Sequence, residues 1–581
     1  MKLLNLVITF LSTLILFGCS DQSSSKSVRY FSSKAKDLER EYSFKGSKYV
    51  ISTQGQYSTN AGKKMYDLGG NIYDAFAAIS FVISVERPQS TGIGGGGFLL
   101  HFSKGMTGPQ AVDFREKAPL KAHSKMYLRE NGEEIKRSSI VGADAVGVPG
   151  LVAGVLEIHQ KYGKLSLGQV LSPAIELAEK GFRVYPELAF ALNYKKEDLA
   201  KFPSSVKIFF KNGAPLKEGD LLIQADLAKT LRLIVTKGRD GFYQGHVPTS
   251  IISASQSLGR SFIQQSDFDK YNVKYRNPVE GEFRGNKIYS MSPPSSGGIH
   301  VVQILNILSN IDLRSLGASS SKSIHYVSSA MQAAFADRAE YLGDADFAKV
   351  PAKGLVSKEY AEKIFTEISP MKAKRKSERG HGNPFAFEKD QTTHFSIMDI
   401  EGNVISSTQT INGYFGSSLV APGTGVVLNN EMDDFATKVG ASNLFGAVGG
   451  KNNLIEPEKR PLSSMSPSII FDTNSIPKLV VGTPSGTRIL TCVMQTILNY
   501  IEFEMPLYDA VAALRYHHQW SPDYIRVEEN DFDEVTRSEL LGLGYDIEKK
   551  NLGCRIQAVA REGKTLIGVS DPRGEGMSSG L

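Results

Sequence analysis

Cysteine is scarce in this chain: 581 residues hold three, Cys19, Cys492 and Cys554. None forms a CxxC pair, which excludes a zinc site of the usual spacing. Cys492 sits in an apolar run and reads as a buried core thiol, with a Cys492–Cys554 disulfide as the alternative. Charge of one sign is also lacking. The 67 basic and 61 acidic residues leave +6, an excess too mild to argue by itself for a nucleic-acid partner. The apolar run Leu3–Phe17 is too short for a comfortable transmembrane helix. No GxxxxGK[ST] follows the run Gly94–Gly97 and Rossmann spacing is missing, so these glycines are expected to permit close backbone packing rather than to cradle phosphate. No internal repeat is visible. His517 and His518 lack a third ligand nearby, so neither a metal nor a cofactor is expected.

What remains is an ordinary globular composition, 41% hydrophobic and 22% charged, with chain enough for a large core or two domains. The N-terminus stands apart. Lys2, the apolar run and Gly18-Cys19-Ser20 have the layout of a secretory signal. Leu16-Phe17-Gly18-Cys19 resembles a bacterial lipoprotein box, in which the cysteine is lipidated and becomes the new N-terminus. Residues 1–19 are therefore expected to be signal and residues 20–46 a flexible polar tether. The expected location is a bacterial cell envelope, lipid-anchored on the periplasmic side, with Ser20 resembling outer-membrane sorting. A soluble secreted or periplasmic protein is the alternative.

Helical patterns occur at Gly70–Val85, Gly150–Tyr162, Leu167–Gly181 and Ser323–Leu342. Strand-like runs occur at Lys287–Met291, Ile397–Gln409, Leu479–Gly482 and Ile556–Val559, and "TGIGGGGFLL" ends as an apolar strand. The two types are interleaved, which implies an α/β or α+β fold. Met371–Gln391, "MKAKRKSERGHGNPFAFEKDQ", is charged, aperiodic and rich in breakers, and reads as an exposed mobile loop. It ends at Thr392.

From Thr392 two β-rich runs flank Asp399-Ile400-Glu401-Gly402-Asn403, a hairpin with Gly402 in a left-handed position. Centring the turn on Glu401 sets Thr392 opposite Thr410, with Cβ atoms about 4.5–5.5 Å apart. Threonine needs a base to become a nucleophile. If the Gln391–Thr392 bond is cut, the new α-amine, with a pKa of about 7.7–8.0, can serve as that base. Thr410 can then hold and polarise the Thr392 hydroxyl. His394 falls on the same strand face one pleat further along and is expected to be structural.

Six segments occur in order: "PQSTGIGGGGF" (Pro88–Phe98), "AVDFREKAP" (Ala111–Pro119), "TTHFSIMD" (Thr392–Asp399), "LNNEMDDF" (Leu428–Phe435), "RPLSSMSP" (Arg460–Pro467) and "HHQW" (His517–Trp520). Together they resemble the γ-glutamyltranspeptidases, a family of N-terminal-nucleophile hydrolases. The resemblance implies an α+β fold, a four-layer αββα sandwich. It also implies self-cleavage into a large subunit (47–391) and a small catalytic subunit (392–581) that stay associated as a heterodimer.

The resemblance also assigns roles. Thr392 is the nucleophile, with Thr410 beside it. Arg115, Ser463 and Ser464 bind the donor's α-carboxylate, and Arg115 would otherwise read as a surface ion pair with Asp113 or Glu116. Asn412, Glu431 and Asp434 recognise its α-amino end, although Asp433 and Asp434 could each cap a turn. The backbone amides of Ser485 and Gly486 form the oxyanion hole. Here Ser485 stands where the family usually has glycine, which a non-glycine residue satisfies only if its dihedrals allow. In the lid segment "GASNLFGAVGG" this chain has Phe445 where many relatives carry tyrosine, so a looser lid is expected.

The reaction so implied is acyl transfer from glutathione or another γ-glutamyl compound to water, an amino acid or a dipeptide. A glutaryl (cephalosporin) acylase on the same fold is one rival. A surface lipoprotein weak in catalysis is the other.

Overall fold

The computed structural model describes residues 35–257, 262–383 and 393–581. Cys19, Gln391 and Thr392 lie outside the described residues, so the lipidation, cleavage and nucleophile assignments do too.

Two seven-stranded antiparallel sheets form the centre. In the first, the hairpin strands Thr393–Asp399 and Val404–Thr410 are flanked by Tyr49–Thr53 on one side and Gly96–Phe102 on the other; Met577–Gly580, Gln110–Asp113 and Lys274–Arg276 complete it. In the second, Pro477–Gly482 lies between Gln557–Glu562 and Ser468–Phe471, with Thr565–Ser570, Ser43–Gly46, Asn286–Ser290 and Val279–Phe283 outward.

Side-chain alternation makes the layers. Val50, Leu100, Met398 and Val404 of the first sheet meet Ile469, Val480, Val559 and Leu566 of the second in one buried cluster. Their neighbours point the other way. Ile51, Leu99, Ile397 and Ile405 pack under helices that include Ile72–Glu86 and Leu167–Lys180. Ile470, Leu479, Ala558 and Val569 pack under Gly297–Leu308, Ser321–Tyr341 and Arg488–Ile501. Ser468–Phe471 and Pro477–Gly482, covered on both faces, carry apolar runs, whereas Val404–Thr410 is buried throughout with polar residues at five of its seven positions. The result is helix, sheet, sheet, helix, the expected four-layer sandwich. Both sheets mix strands from before residue 384 and after residue 392, so neither part has a core of its own.

The hairpin register is the expected one: Thr393 pairs with Gln409 and Met398 with Val404, and Gly402 has φ 92°. The glycine run packs as its composition implies. A Cβ on Gly95 would sit 1.9 Å from Thr410 O, and one on Gly94 2.3 Å from Val427 O.

Three expectations are corrected. The folded body starts before residue 47: Ala35–Tyr42 is helical and Ser43–Gly46 pairs with Thr565–Ser570. The charged loop is anchored over its first part: Ala373 N donates to Leu543 O, Trp520 Nε1 to Arg379 O at 2.7 Å, and Gly382 N to Asp337 at 2.8 Å. Arg379 is 4% exposed and pairs with Glu367, but most of residues 371–383 are exposed, so the segment faces solvent as expected and is tied down at a few points. Finally, Cys492 is not a free thiol. Its Sγ is bonded to that of Cys554, with Cα atoms 6.7 Å apart, which ties the helix Arg488–Ile501 to the segment leading into strand Gln557–Glu562.

Candidate active site

The strand Val404–Thr410 delivers Thr410 to the end of the first sheet. Its Oγ1 accepts from the backbone N–H of Asn412 at 2.7 Å, which turns the chain sharply out of the strand. Asn412 takes up φ 72°, a conformation asparagine tolerates better than most residues. Its Nδ2 donates to Asn430 O at 3.0 Å, while Asn430 N donates back to Ile411 O. The Asn412 Oδ1 is buried and accepts no hydrogen bond among the described residues.

Those bonds bring in Glu431–Asp434, a single 3₁₀ turn. Residues three apart eclipse in a 3₁₀ helix, so Glu431 and Asp434 face the same way. Both reach Arg115, at 2.7 Å from Nη1 and Nη2 respectively. Glu116 joins at 3.6 Å from Nη1. Asp433 points elsewhere, accepting from Ser139 Oγ at 2.7 Å and Leu444 N at 2.9 Å. The turn thus separates two aspartates that are equivalent in sequence.

Arg115 is no surface residue: it and its carboxylate partners are almost fully buried. Burial works against the cation, but Glu431, Glu116 and Asp434 hold it above its ordinary pKa. One guanidinium cannot balance three carboxylates. Burial pushes the Glu116 carboxyl up to about 8 and that of Glu431 well above the carboxylate range, despite Arg115. The cluster therefore holds protons that an incoming cation could displace.

Ser463 and Ser464 come to the same place on the loop before strand Ser468–Phe471. Arg460, buried against Asp113 at 3.2 Å, fixes its start. Arg115 Nε donates to Pro461 O, and Ser463 is held through its backbone by Pro294 O and Ser296 N.

The segment expected to act as a lid forms a small loop closed by bonds between Gly440 and Gly449 and between Asn443 and Ala447. Asn443 Nδ2 donates to Asp434 Oδ1 at 3.0 Å, and Leu444 N to Asp433. Phe445 is half-buried, its N–H on Asn443 Oδ1 at 3.0 Å. This loop is therefore tied to the acidic turn through Asn443 and Leu444.

The turn Gly482–Gly486 follows strand Pro477–Gly482. Gly482 packs against the ring of His394, which is fully buried between Thr408 Oγ1 and Ser396 Oγ and pushed down to about 3 by burial. A neutral imidazole so enclosed braces the turn against the hairpin. Ser485 has φ 116° and Gly486 φ 68°. Ser485 thus keeps a backbone that favours glycine, and its dihedral does not relax to suit the side chain. Its Oγ donates to Leu552 O, and Arg488 Nε donates to both. Neither the Ser485 nor the Gly486 N–H donates to another described residue, which leaves two adjacent donors open.

Of the residues expected in the site, the structure joins Arg115, Glu431 and Asp434 by ion pairs and Thr410 and Asn412 to the same turn through Asn430, brings the loop carrying Ser463 and Ser464 to Arg115 through Pro461 O, and connects the turn of Ser485 and Gly486 to the hairpin through Gly482 and His394. From the sequence Glu116 is named only as a surface ion-pair partner of Arg115, whereas the structure buries it in the cluster; the contacts of Asn443 are not foreseen.

Two antiparallel sheets face to face, clad by helices and with a threonine-ended central hairpin, define the N-terminal-nucleophile hydrolase fold. The same fold appears in cephalosporin acylase from Bacillus halodurans, at TM-score 0.82 over 96% of this chain and 99% of that one, with 24% identity. A family model described as Gamma-glutamyltranspeptidase matches residues 58–581, and the chain belongs to that family. The glutathione hydrolase proenzyme of Escherichia coli (strain K12) is 42% identical over 527 residues, 90% of each chain. The crystal structure of Helicobacter pylori gamma-glutamyltranspeptidase is 45% identical, with TM-score 0.55 over 57% of this chain and 94% of that chain.

Proposed function

We propose that this chain is the precursor of a γ-glutamyl hydrolase and transferase that cleaves itself between Gln391 and Thr392. Glutathione and related γ-glutamyl amides are its donors. The observation that carries this reading is the buried cluster of Arg115, Glu431, Asp434 and Glu116, with the open acceptor Asn412 Oδ1 beside it. A guanidinium suits an α-carboxylate through paired hydrogen bonds. Surplus carboxylate and an unfilled amide oxygen suit an α-ammonium. Both groups sit on the same carbon of a γ-glutamyl donor.

In this mechanism the Thr392 α-amine takes the proton of its own hydroxyl, and Thr410 polarises that hydroxyl. The oxygen attacks the γ-carbonyl carbon. The Ser485 and Gly486 N–H groups hold the oxyanion. The leaving amine departs with a proton, leaving a γ-glutamyl ester on Thr392. Water then releases glutamate, or an amino acid or dipeptide takes the acyl group. Ser463 and Ser464 share the α-carboxylate with Arg115, and the Phe445 lid covers the pocket without a hydroxyl contact. Large and small parts remain together as a heterodimer because their strands share both sheets.

A glutaryl acylase has no ammonium to offer the acidic cluster, so the carboxylate surplus favours the γ-glutamyl reading. The N-terminal lipoprotein-like box supports lipid anchoring at Cys19 and display in a bacterial envelope, on the periplasmic side of the outer membrane. Denatured intact mass of wild type and Thr392→Ala tests the function. Two fragments split before Thr392 in wild type alone, with γ-glutamyl anilide hydrolysis lost in the variant, are expected. A single full-length chain in both would overturn the mechanism.

A further inference from the structure

The turn that presents the Ser485 and Gly486 N–H groups is stitched to a second segment. Residues 550–556 join strand Ile547–Lys549 to strand Gln557–Glu562 and belong to no helix or strand. Leu552 and Cys554 are nevertheless fully buried in the core beneath the second sheet. Every residue from Leu552 to Arg555 meets the turn or the helix that follows it. Leu552 O accepts from Ser485 Oγ and from Arg488 Nε, the latter at 2.7 Å. Gly553 has φ 72° and lies so close that a Cβ there would stand 2.7 Å from Ser485 Oγ. Cys554 is bonded to Cys492, and its Sγ lies 3.8 Å from Arg488 O. Arg555 N donates to Thr483 Oγ1 at 2.7 Å.

The covalent link falls where the hydrogen bonds are. Arg488 and Cys492 stand at i and i+4 of helix Arg488–Ile501 and so share a face. One reaches Leu552 and the other Cys554. The start of that helix also binds the turn: Arg488 N donates to Ser485 O at 3.2 Å and Ile489 N to Gly486 O at 3.0 Å. Turn, helix start and strap thus close into one unit. That unit has a conformation to hold. Ser485 at φ 116° and Gly486 at φ 68° keep a backbone from which a serine gains by relaxing. A relaxed turn would re-aim its N–H groups. Water can replace a hydrogen bond from a side chain to a carbonyl, so such bonds restrain the turn only weakly. It cannot replace the bond between Cys492 and Cys554.

Building on the γ-glutamyl-transfer reading above, in which Ser485 and Gly486 receive the oxyanion, we propose that the strap Leu552–Arg555, locked to the helix by Cys492–Cys554, is the positioning device of the oxyanion hole. Its residues act through Ser485 and Thr483 rather than on the substrate. They hold the turn in the conformation that leaves both N–H groups open, so that the donors are in place before charge develops on the γ-carbonyl oxygen. The disulfide therefore serves the binding of the transition state as well as the stability of the fold. The donor's amino-acid head, held at Arg115 and the acidic turn, does not depend on it.

Two changes test this in the mature enzyme. Cys492→Ala combined with Cys554→Ala removes the lock. Gly553→Ala keeps the lock and pushes the strap off Ser485. Each protein is assayed well below its melting temperature, per mole of cleaved small subunit. The readouts are kcat for γ-glutamyl-p-nitroanilide and the Ki of L-2-aminobutyrate, which carries the amino-acid head and no γ-carbonyl. Both variants are expected to lower kcat about tenfold, less than the roughly 10²–10³ that follows loss of a whole donor, while the Ki stays within about twofold of wild type. A general loosening of the fold would weaken turnover and inhibitor together. Equal losses in the two would therefore overturn the proposal, as would an unchanged kcat in either variant. If the cysteine variant fails to fold, Gly553→Ala decides alone. A wild type inactive on the anilide would instead fell the γ-glutamyl reading, and this role of the strap with it.

Discussion

Ser485 holds a backbone conformation that favours glycine and anchors it with its own hydroxyl, so Ser485→Ala and Ser485→Gly should separate the two effects. A non-glycine residue in a sparsely populated backbone region costs about 1–3 kcal/mol, and φ 116° puts Ser485 in that class. The Oγ–Leu552 O hydrogen bond returns about 0.5–1.5 kcal/mol. Alanine keeps the backbone cost and loses the bond, so Ser485→Ala should destabilise by about 1 kcal/mol. Glycine loses the same bond but relieves the backbone, less roughly 0.5–1 kcal/mol for its freedom in the unfolded chain. The glycine variant should therefore be more stable than the alanine variant by about 1 kcal/mol and close to wild type. Activity should follow the same order. Removing an oxyanion donor outright lowers kcat by about 10²–10³. A turn that has lost its tether but kept its donors should lose about tenfold or less, more in alanine than in glycine. Thermal melting of the three proteins and kcat for γ-glutamyl anilide hydrolysis measure this. A glycine variant less stable than the alanine one would refute the reasoning, since it would mean the position carries no left-handed strain.

Arg115→Met should leave Glu431 and Asp434 buried without their cation, a loss of about 3–5 kcal/mol unless they take up protons; a melting temperature that rises with falling pH in the variant, together with lost donor binding, would show it. Reducing the Cys492–Cys554 bond, or replacing both with alanine, should destabilise by roughly 4 kcal/mol on the chain-entropy view, given the 62-residue separation; an unchanged melting temperature would contradict it. The acidic cluster makes a pH prediction. Because the folded Glu116 and Glu431 carboxyls are raised, the former to about 8, an ammonium must displace protons to bind below that pH. Competitive inhibition by L-glutamate should therefore tighten relative to glutarate as pH rises from about 6 to 8, since both bring carboxylates but only glutamate brings the cation. A flat ratio would show that the carboxyls are already ionised.

The hairpin is legible in the residues alone. Its strands alternate, Gly402 marks the turn, and its register follows from centring on Glu401; Thr393 opposite Gln409 is that register. Such features depend on neighbours in sequence, and side-chain period and turn chemistry are local physics. The long helices are legible for the same reason, to within a few residues at their ends. The site residues are legible only as motifs. Nothing in the period of either segment says that Arg115 meets Glu431, because that contact depends on a sheet edge and a 3₁₀ turn hundreds of residues apart.

The points where sequence and structure part share a cause. Cys492 lies in an apolar stretch, which is equally the setting of a buried thiol and of a buried disulfide; only the path of the chain brings Cys554 alongside. The segment after Met371 is charged and largely exposed, as its composition implies, yet Asp337, Leu543 and Trp520 from distant elements hold it in place. Ser485 could have had any dihedral its side chain permits; the sandwich imposes the one that opens two N–H groups. Sequence by itself therefore determined the family, the periodic elements and the residue types in the site. Tertiary structure decided which charges are buried together, which carboxyls are pushed up and where the chain is strained, because burial and charge pairing arise only when distant segments close together.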